Sequence, residues 1–198
     1  MESELSKHFR LEGRQIELGS IISLLYETYD DFLSSVLSIF RACVLNESRM
    51  LFFYDQIDPK EFSSIMIQFG MDSLKNVTFK HYSEIFIDAD LISIKKMQSK
   101  ISKFIRDEET DTFLILFETH WLNQYFNERK DLIAYFIEMQ NFFKKNNGIG
   151  IGLCNTLSTD AKVILELMNA SPYHIISNHL IKNPLFTHSG DALLKKKL

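Results

Sequence analysis

Cys154, His120, Glu118, Asp55 and Glu27 are the side chains whose chemistry could serve a reaction or a binding event, because each stands at or just past the end of a short apolar run. Cys154 with His120 offers a thiol and a base, the pairing that makes a cysteine nucleophilic. A lone cysteine at a sheet's edge is ordinarily a small hydrophobe, and Cys154 is read that way first. Glu118 stands where an ATP-hydrolysing domain places the acid that orients magnesium or water. That acid needs a phosphate loop to serve. The first apolar run instead leads into Tyr26-Glu27-Thr28-Tyr29-Asp30-Asp31, with no glycine and no lysine. A phosphate cradle needs glycines so that backbone N–H groups can close on the anion, and a lysine to reach the terminal phosphates. Three carboxylates repel that anion. The expectation is a degenerate phosphate loop, no catalysis and no cofactor, with Glu118 structural or ligand-contacting.

Other chemistries fail on residue type. A phosphoryl-accepting receiver needs a lysine after its fifth strand, and here that strand ends Cys154-Asn155-Thr156. A serine hydrolase needs its serine in a Gly-x-Ser-x-Gly elbow, which does not occur. His174 and His179 lie five apart, matching neither a helix face nor a zinc knuckle, so no metal site is expected. A net charge of −4 gives no electrostatic footprint for nucleic acid. No uninterrupted apolar stretch is long enough to span a bilayer, and the first residues lack the basic-then-apolar pattern of a secretory signal. With two widely separated cysteines and no disulfide framework, a cytoplasmic protein is expected.

The elements that must position these residues are short apolar strands alternating with amphipathic helices. The stretch 19–32 is expected to be a strand running into a helix, and further strands are expected at 50–55, 77–82, 113–117, 147–154 and 172–176. Thr28 should cap a helix carrying Phe32, Leu33, Val36, Leu37 and Phe40, and Asp58-Pro59 should open another that ends near Gly70. A long helix is expected to carry Leu91, Ile94, Met97, Ile101, Phe104 and Ile105, followed by a solvated acidic turn at 107–111. The next should carry Phe126, Ile133, Phe136, Ile137 and Phe143, with Lys144 and Lys145 at its end. Ser158 should cap a last helix with Ala161, Ile164, Leu165 and Met168. Gly148, Gly150 and Gly152 strip one strand face of side chains, so a packed helix, or else a ligand, must approach it closely.

The alternation predicts an α/β fold with a mostly parallel central sheet of about six strands and helices on both faces. At 198 residues and 45% hydrophobic composition, a single domain is expected over 16–187, with an N-terminal extension at 1–15 and a flexible basic tail at 188–198. Seventeen Phe and seven Tyr point to a ring-rich core. In open parallel sheets ligands bind at the carboxyl ends of the strands. The candidate ligand-binding set is therefore Tyr26, Glu27, Asp55, Glu118, His120, Trp121, Cys154 and Asn155.

Several stretches together resemble the MEDS family of sensory domains. Leu18 to Glu27 resembles that family's first strand, which ends Tyr-Glu or Tyr-Asp, and Arg49-Met50-Leu51-Phe52-Phe53-Tyr54 resembles its second. Phe117-Glu118-Thr119-His120-Trp121 is similar to a Gly-Glu-Met-x-Trp element, and Leu153-Cys154-Asn155 to a Leu-Cys-x-Tyr strand end. Pro172, Ile175-Ile176 and Asn183-Pro184-Leu185-Phe186 resemble its closing pattern. Two positions depart: Ser20 or Ile21 stands near the first-strand histidine, and Ser171 near the histidine that precedes the closing proline.

The resemblance implies a RecA/KaiC-like three-layer architecture whose ATP site has decayed. It also implies the sensing of a small, hydrocarbon-derived ligand, with output through a separate protein such as a kinase or transcription regulator. The alternatives are a RecA/KaiC-like scaffold or homo-oligomeric assembly subunit without ligand, and a residual nucleotide binder. Direct nucleic-acid or membrane partners are not expected.

Overall fold

The computed structural model describes residues 8–71, 74–88, 91–108, 111–184 and 186. In chain order the elements are β1 (His8–Leu11), β2 (Arg14–Glu17), β3 (Ile21–Tyr26), α1 (Tyr29–Leu45), β4 (Arg49–Tyr54), α2 (Pro59–Gln68), β5 (Val77–His81), α3 (Tyr82–Phe86), β6 (Ile87–Asp88), β7 (Leu91–Ile92), α4 (Ile94–Asp107), β8 (Phe113–Glu118), α5 (Leu122–Tyr125), α6 (Arg129–Lys145), β9 (Gly148–Asn155), α7 (Ala161–Ala170), β10 (Tyr173–Ile176) and β11 (His179–Lys182). Seven strands form the main sheet in the order β11-β10-β3-β9-β8-β4-β5. Every neighbouring pair is parallel except β10 with β11.

Strand order and helix placement follow one rule. The connections β3 to β4 and β4 to β5 step along the sheet in one direction, and their helices α1 and α2 share one face. The connections β5 to β8, β8 to β9 and β9 to β10 step the other way, and α3, α4, α6 and α7 cover the opposite face. Right-handed crossovers require this link between direction and face. Period-two alternation divides each strand accordingly: Met50 and Phe52 point to the α1/α2 side, Leu51 and Phe53 to the other.

Strand β9 lies between β3 and β8, and its glycines explain how the second helical layer seats. A Cβ at Gly148 would fall 2.3 Å from the Phe113 ring, one at Gly150 would fall 2.3 Å from Phe143, and one at Gly152 would fall 2.8 Å from Leu167. Phe143 belongs to α6 and Leu167 to α7, so the bare face is filled by the protein's own side chains.

Several expectations are corrected. Leu91 lies in β7, because Ser93 caps α4 by accepting from the Lys96 N–H at 3.2 Å. Phe126 precedes α6, which starts at Arg129. Asp160, not Ser158, caps α7, its carboxylate accepting from Lys162 N–H at 2.7 Å, while the N–H groups of Ser158 and Thr159 turn back to the Asn155 carbonyl. Strand β11 was not expected, since its turn, Ser177-Asn178, takes positive φ at both residues without the glycine that signals such a hairpin. Residues 8–17, within and beside the segment read as an extension, form the β1–β2 hairpin that buries Phe9, Leu11 and Ile16 against the α1/α2 core. Glu12 ties this hairpin to β11 by accepting the Leu180 N–H at 2.9 Å. Residues 188–198, and Glu109 and Thr110 of the acidic turn, lie outside the described residues.

Two predictions follow from this packing. Gly150→Ala forces a methyl into the Phe143 ring and should lower unfolding free energy by about 1–3 kcal/mol in urea titrations. His174 on β10 is buried and meets Ser23 Oγ of β3 through Nδ1 at 2.6 Å, and burial holds its pKa below the ordinary imidazole value. As pH falls through about 6.5 the unfolded chain takes up a proton that the folded chain resists, so stability present at neutral pH is lost. Thermal melts should show a larger acid-induced drop for wild type than for His174→Gln.

Candidate functional site

The β3–α1 junction is two residues long, Glu27 and Thr28. Thr28 is in extended conformation and its Oγ1 accepts the Asp31 N–H at 3.2 Å. The Asp31 carboxylate reaches back to the Thr28 N–H at 3.3 Å and to its hydroxyl at 2.7 Å. This reciprocal capping box places a carboxylate at the end of α1 where a phosphate would have to sit. Asp30 occupies the same turn, and Glu27 is exposed beside it.

Across the sheet, the chain after β4 wraps around another carboxylate. Glu118, almost completely buried at the end of β8, accepts successive N–H groups of Asp55, Gln56 and Ile57 at 2.5, 2.9 and 3.4 Å through one oxygen. Burial pushes its pKa up, while these three hydrogen bonds and His120 pull it down. Asp55, held by this grip, sits 2.6 Å from His120 Nε2 and 3.7 Å from His81 Nε2. His81 in turn meets Ser83 Oγ through Nδ1 at 2.7 Å. The carboxylate thus fixes two partly exposed imidazoles at the lip of the sheet, where their ring nitrogens can hydrogen-bond a bound molecule.

The remaining strand-end groups close inward. Burial, then the nearby Glu118 and Cys154, drive the Tyr26 phenol pKa up, so this hydroxyl stays protonated. Cys154 is fully buried and its thiol is raised by burial, although contacts from Thr119 and Thr159 oppose the shift. Burial of this kind favours the neutral thiol over the nucleophilic thiolate. Thr119 is stitched to β9 through both its N–H and its hydroxyl, each donating to the Leu153 carbonyl. Trp121 is wholly buried, stacked on Tyr82 at 5.0 Å and 16°, with Phe86 at 4.7 Å. Tyr82, bonded to Tyr125, has its pKa raised to about 12, chiefly by burial. Asn155 spends its Oδ1 on the Leu157 N–H at 2.9 Å, holding the turn that leaves β9.

A KaiC-like protein from the hyperthermophilic archaeon Pyrococcus horikoshii superposes with a TM-score of 0.54 at 9% identity, covering 85% of this chain and 91% of that one. The fold is RecA/KaiC-like. No family model matches the chain, and no curated protein matches it.

The eight expected residues therefore do not line one common cavity. Asp55 and His120 meet directly, and Glu118 orders the loop that carries Asp55. Tyr26 stands beside Glu118 and Cys154. Trp121 and Cys154 belong to the core under α3–α7, Asn155 to a turn, and Glu27 to solvent. His81 and Tyr82 were missed, although the strand-end rule would have flagged His81 had β5 been ended one residue earlier. Among the described residues no group of three or more His, Cys, Asp or Glu side chains is arranged to hold a metal ion. Glu118→Ala would strand the N–H groups of 55–57 and should cost about 1–3 kcal/mol in urea unfolding. Glu118→Gln, which keeps an acceptor oxygen, should cost less.

Proposed function

We propose that this chain is a non-catalytic RecA/KaiC-like recognition domain in signal transduction. It binds a small, hydrocarbon-derived ligand at the strand ends and passes that state to a separate protein, such as a kinase or transcription regulator. The observation that carries the reading is the Thr28–Asp31 capping box: the helix end that would grip phosphate is closed by its own carboxylate. The resemblance of residues 16–187 to the MEDS sensory family supports the sensing part. The Asp55–His120–His81 array supplies polar groups beside the aromatic surface of Tyr54 and Tyr82, the mixture of fixed polar and apolar contacts typical of small-molecule sites.

A second reading, a scaffold or homo-oligomeric assembly subunit without ligand, draws on exposed apolar side chains such as Leu45 at 83% and Leu157 at 78%.

Equilibrium binding to ATP should show no saturable uptake. A thermal-shift panel of small chlorinated and oxygenated hydrocarbons should raise the wild-type melting temperature by about 2–4 °C for a ligand worth 1 kcal/mol, and His120→Ala should abolish the shift. ATP turnover that depends on residues 27–31 would refute the proposal. A flat thermal response combined with concentration-dependent light scattering would transfer support to the assembly reading.

A further inference from the structure

Helix α4 separates its charges and its apolar side chains almost completely. At about 100° per residue, Lys95, Lys96, Lys100, Lys103 and Arg106 fall within an arc of about 140°, while Ile94, Met97, Ile101, Phe104 and Ile105 occupy the other side. Met97 and Ile101 are fully buried in the core, and the basic side faces outward. Among the described residues, Lys95, Lys100, Lys103 and Arg106 have no carboxylate partner: nearby Glu108 pairs with Arg49 at 3.3 Å and Glu84 with Lys80 at 3.6 Å. On a chain of net charge −4, this concentration of unpaired positive charge is a local exception. Two depressions flank the stripe. One, of about 460 Å³, lies between α4 and α6 and includes Lys95, Ser99, Ser102 and Lys145; the other, of about 320 Å³, lies toward β5 and includes Lys80, Lys100 and Lys103.

We infer that the outer face of α4 is a docking surface for a short acidic segment of a protein partner. The stripe from Lys95 to Arg106 is about 17 Å long, the span of roughly five extended residues. Charge pattern decides against larger polyanions. Glu84, Asp107, Glu108 and Glu138 rim the stripe on both sides and would repel a broad anionic surface. The apolar side of α4 is spent on the core, so no hydrophobic face remains for insertion into lipid. No aromatic side chain stands on the basic arc to stack nucleic-acid bases. Complementary charge of this kind sets partner choice and association rate. The inference rests on the reading of the chain as a recognition domain, and it names the partner's chemistry.

The test is fluorescence anisotropy with a labelled penta-glutamate peptide on the full chain at low ionic strength. Wild type should bind, and added salt should weaken binding. Lys100→Glu with Lys103→Glu should weaken it about tenfold or more, whereas Lys60→Glu with Lys182→Glu, the same change in net charge elsewhere, should leave it within about twofold. Melting curves check that both variants fold. Should the α4 variant not fold, amide exchange on wild type decides, with peptide-induced protection required over residues 94–107. Absence of wild-type binding, equal loss in both variants, or protection elsewhere overturns the assignment. So does an α4-dependent preference for phosphatidylserine vesicles, single-stranded RNA or a second copy of the chain. None of these outcomes bears on nucleotide uptake or on the thermal-shift response, so this inference and the sensing proposal fail separately.

Discussion

The second helical layer can reach the sheet only because β9 presents backbone instead of side chains toward it. Gly148, Gly150 and Gly152 let Phe113, Phe143 and Leu167 settle against a central strand, and Cys154 continues the same face at its carboxyl end. The positions of α6 and α7 depend on that contact, and so does the burial of the Cys154 thiol among Thr119 and Thr159. A ligand was the alternative occupant of this bare face. Close packing by the chain's own rings leaves no space for one.

At the strand ends the recurring device is a carboxylate that accepts backbone N–H groups. Asp31 does this at the start of α1, and Glu118 does it for the loop after β4. Asp31 sits at the N-terminus of α1, where a helix otherwise offers positive electrostatic character to an anion. Internal capping of this kind rigidifies the loops without an external ligand. It leaves the Asp55 carboxylate as the polar group free to organise its neighbours, His120 and His81, near solvent.

The charge distribution divides the molecule. Glu27, Asp30, Asp31, Asp58 and Glu61 gather around the starts of α1 and α2, while lysines and arginine gather on the outer side of α4, across the sheet. Helix dipoles favour the acids where they stand. The same rule accounts for Arg106 in the last turn of α4 but not for Lys95, Lys96 and Lys100 nearer its start, and the one intrahelical acid is Asp107 at the last position.

The main strands and the long helices were legible because their periods are clean, whereas the short elements β1, β2, α3, β6, β7, α5 and β11 were not. Thr28 and Asp58 announced their caps by residue type, and the continuous run from Phe113 to Phe117 announced a strand covered on both faces. The absence of glycine and lysine between Tyr26 and Asp31 was also written in the chain, since it depends only on which residues occupy a junction. What the sequence could not specify was which strand ends become neighbours. Ser177-Asn178 hid a hairpin by taking positive φ without glycine, and Trp121, placed by strand-end logic in a cleft, turned inward to stack on Tyr82. The grip of Glu118 on residues 55–57 and the meeting of Asp55 with His120 join segments some sixty residues apart. Local periodicity reports only neighbours along the chain. Contacts across the sheet are decided by the order in which crossovers stack the strands, which is a property of the folded whole.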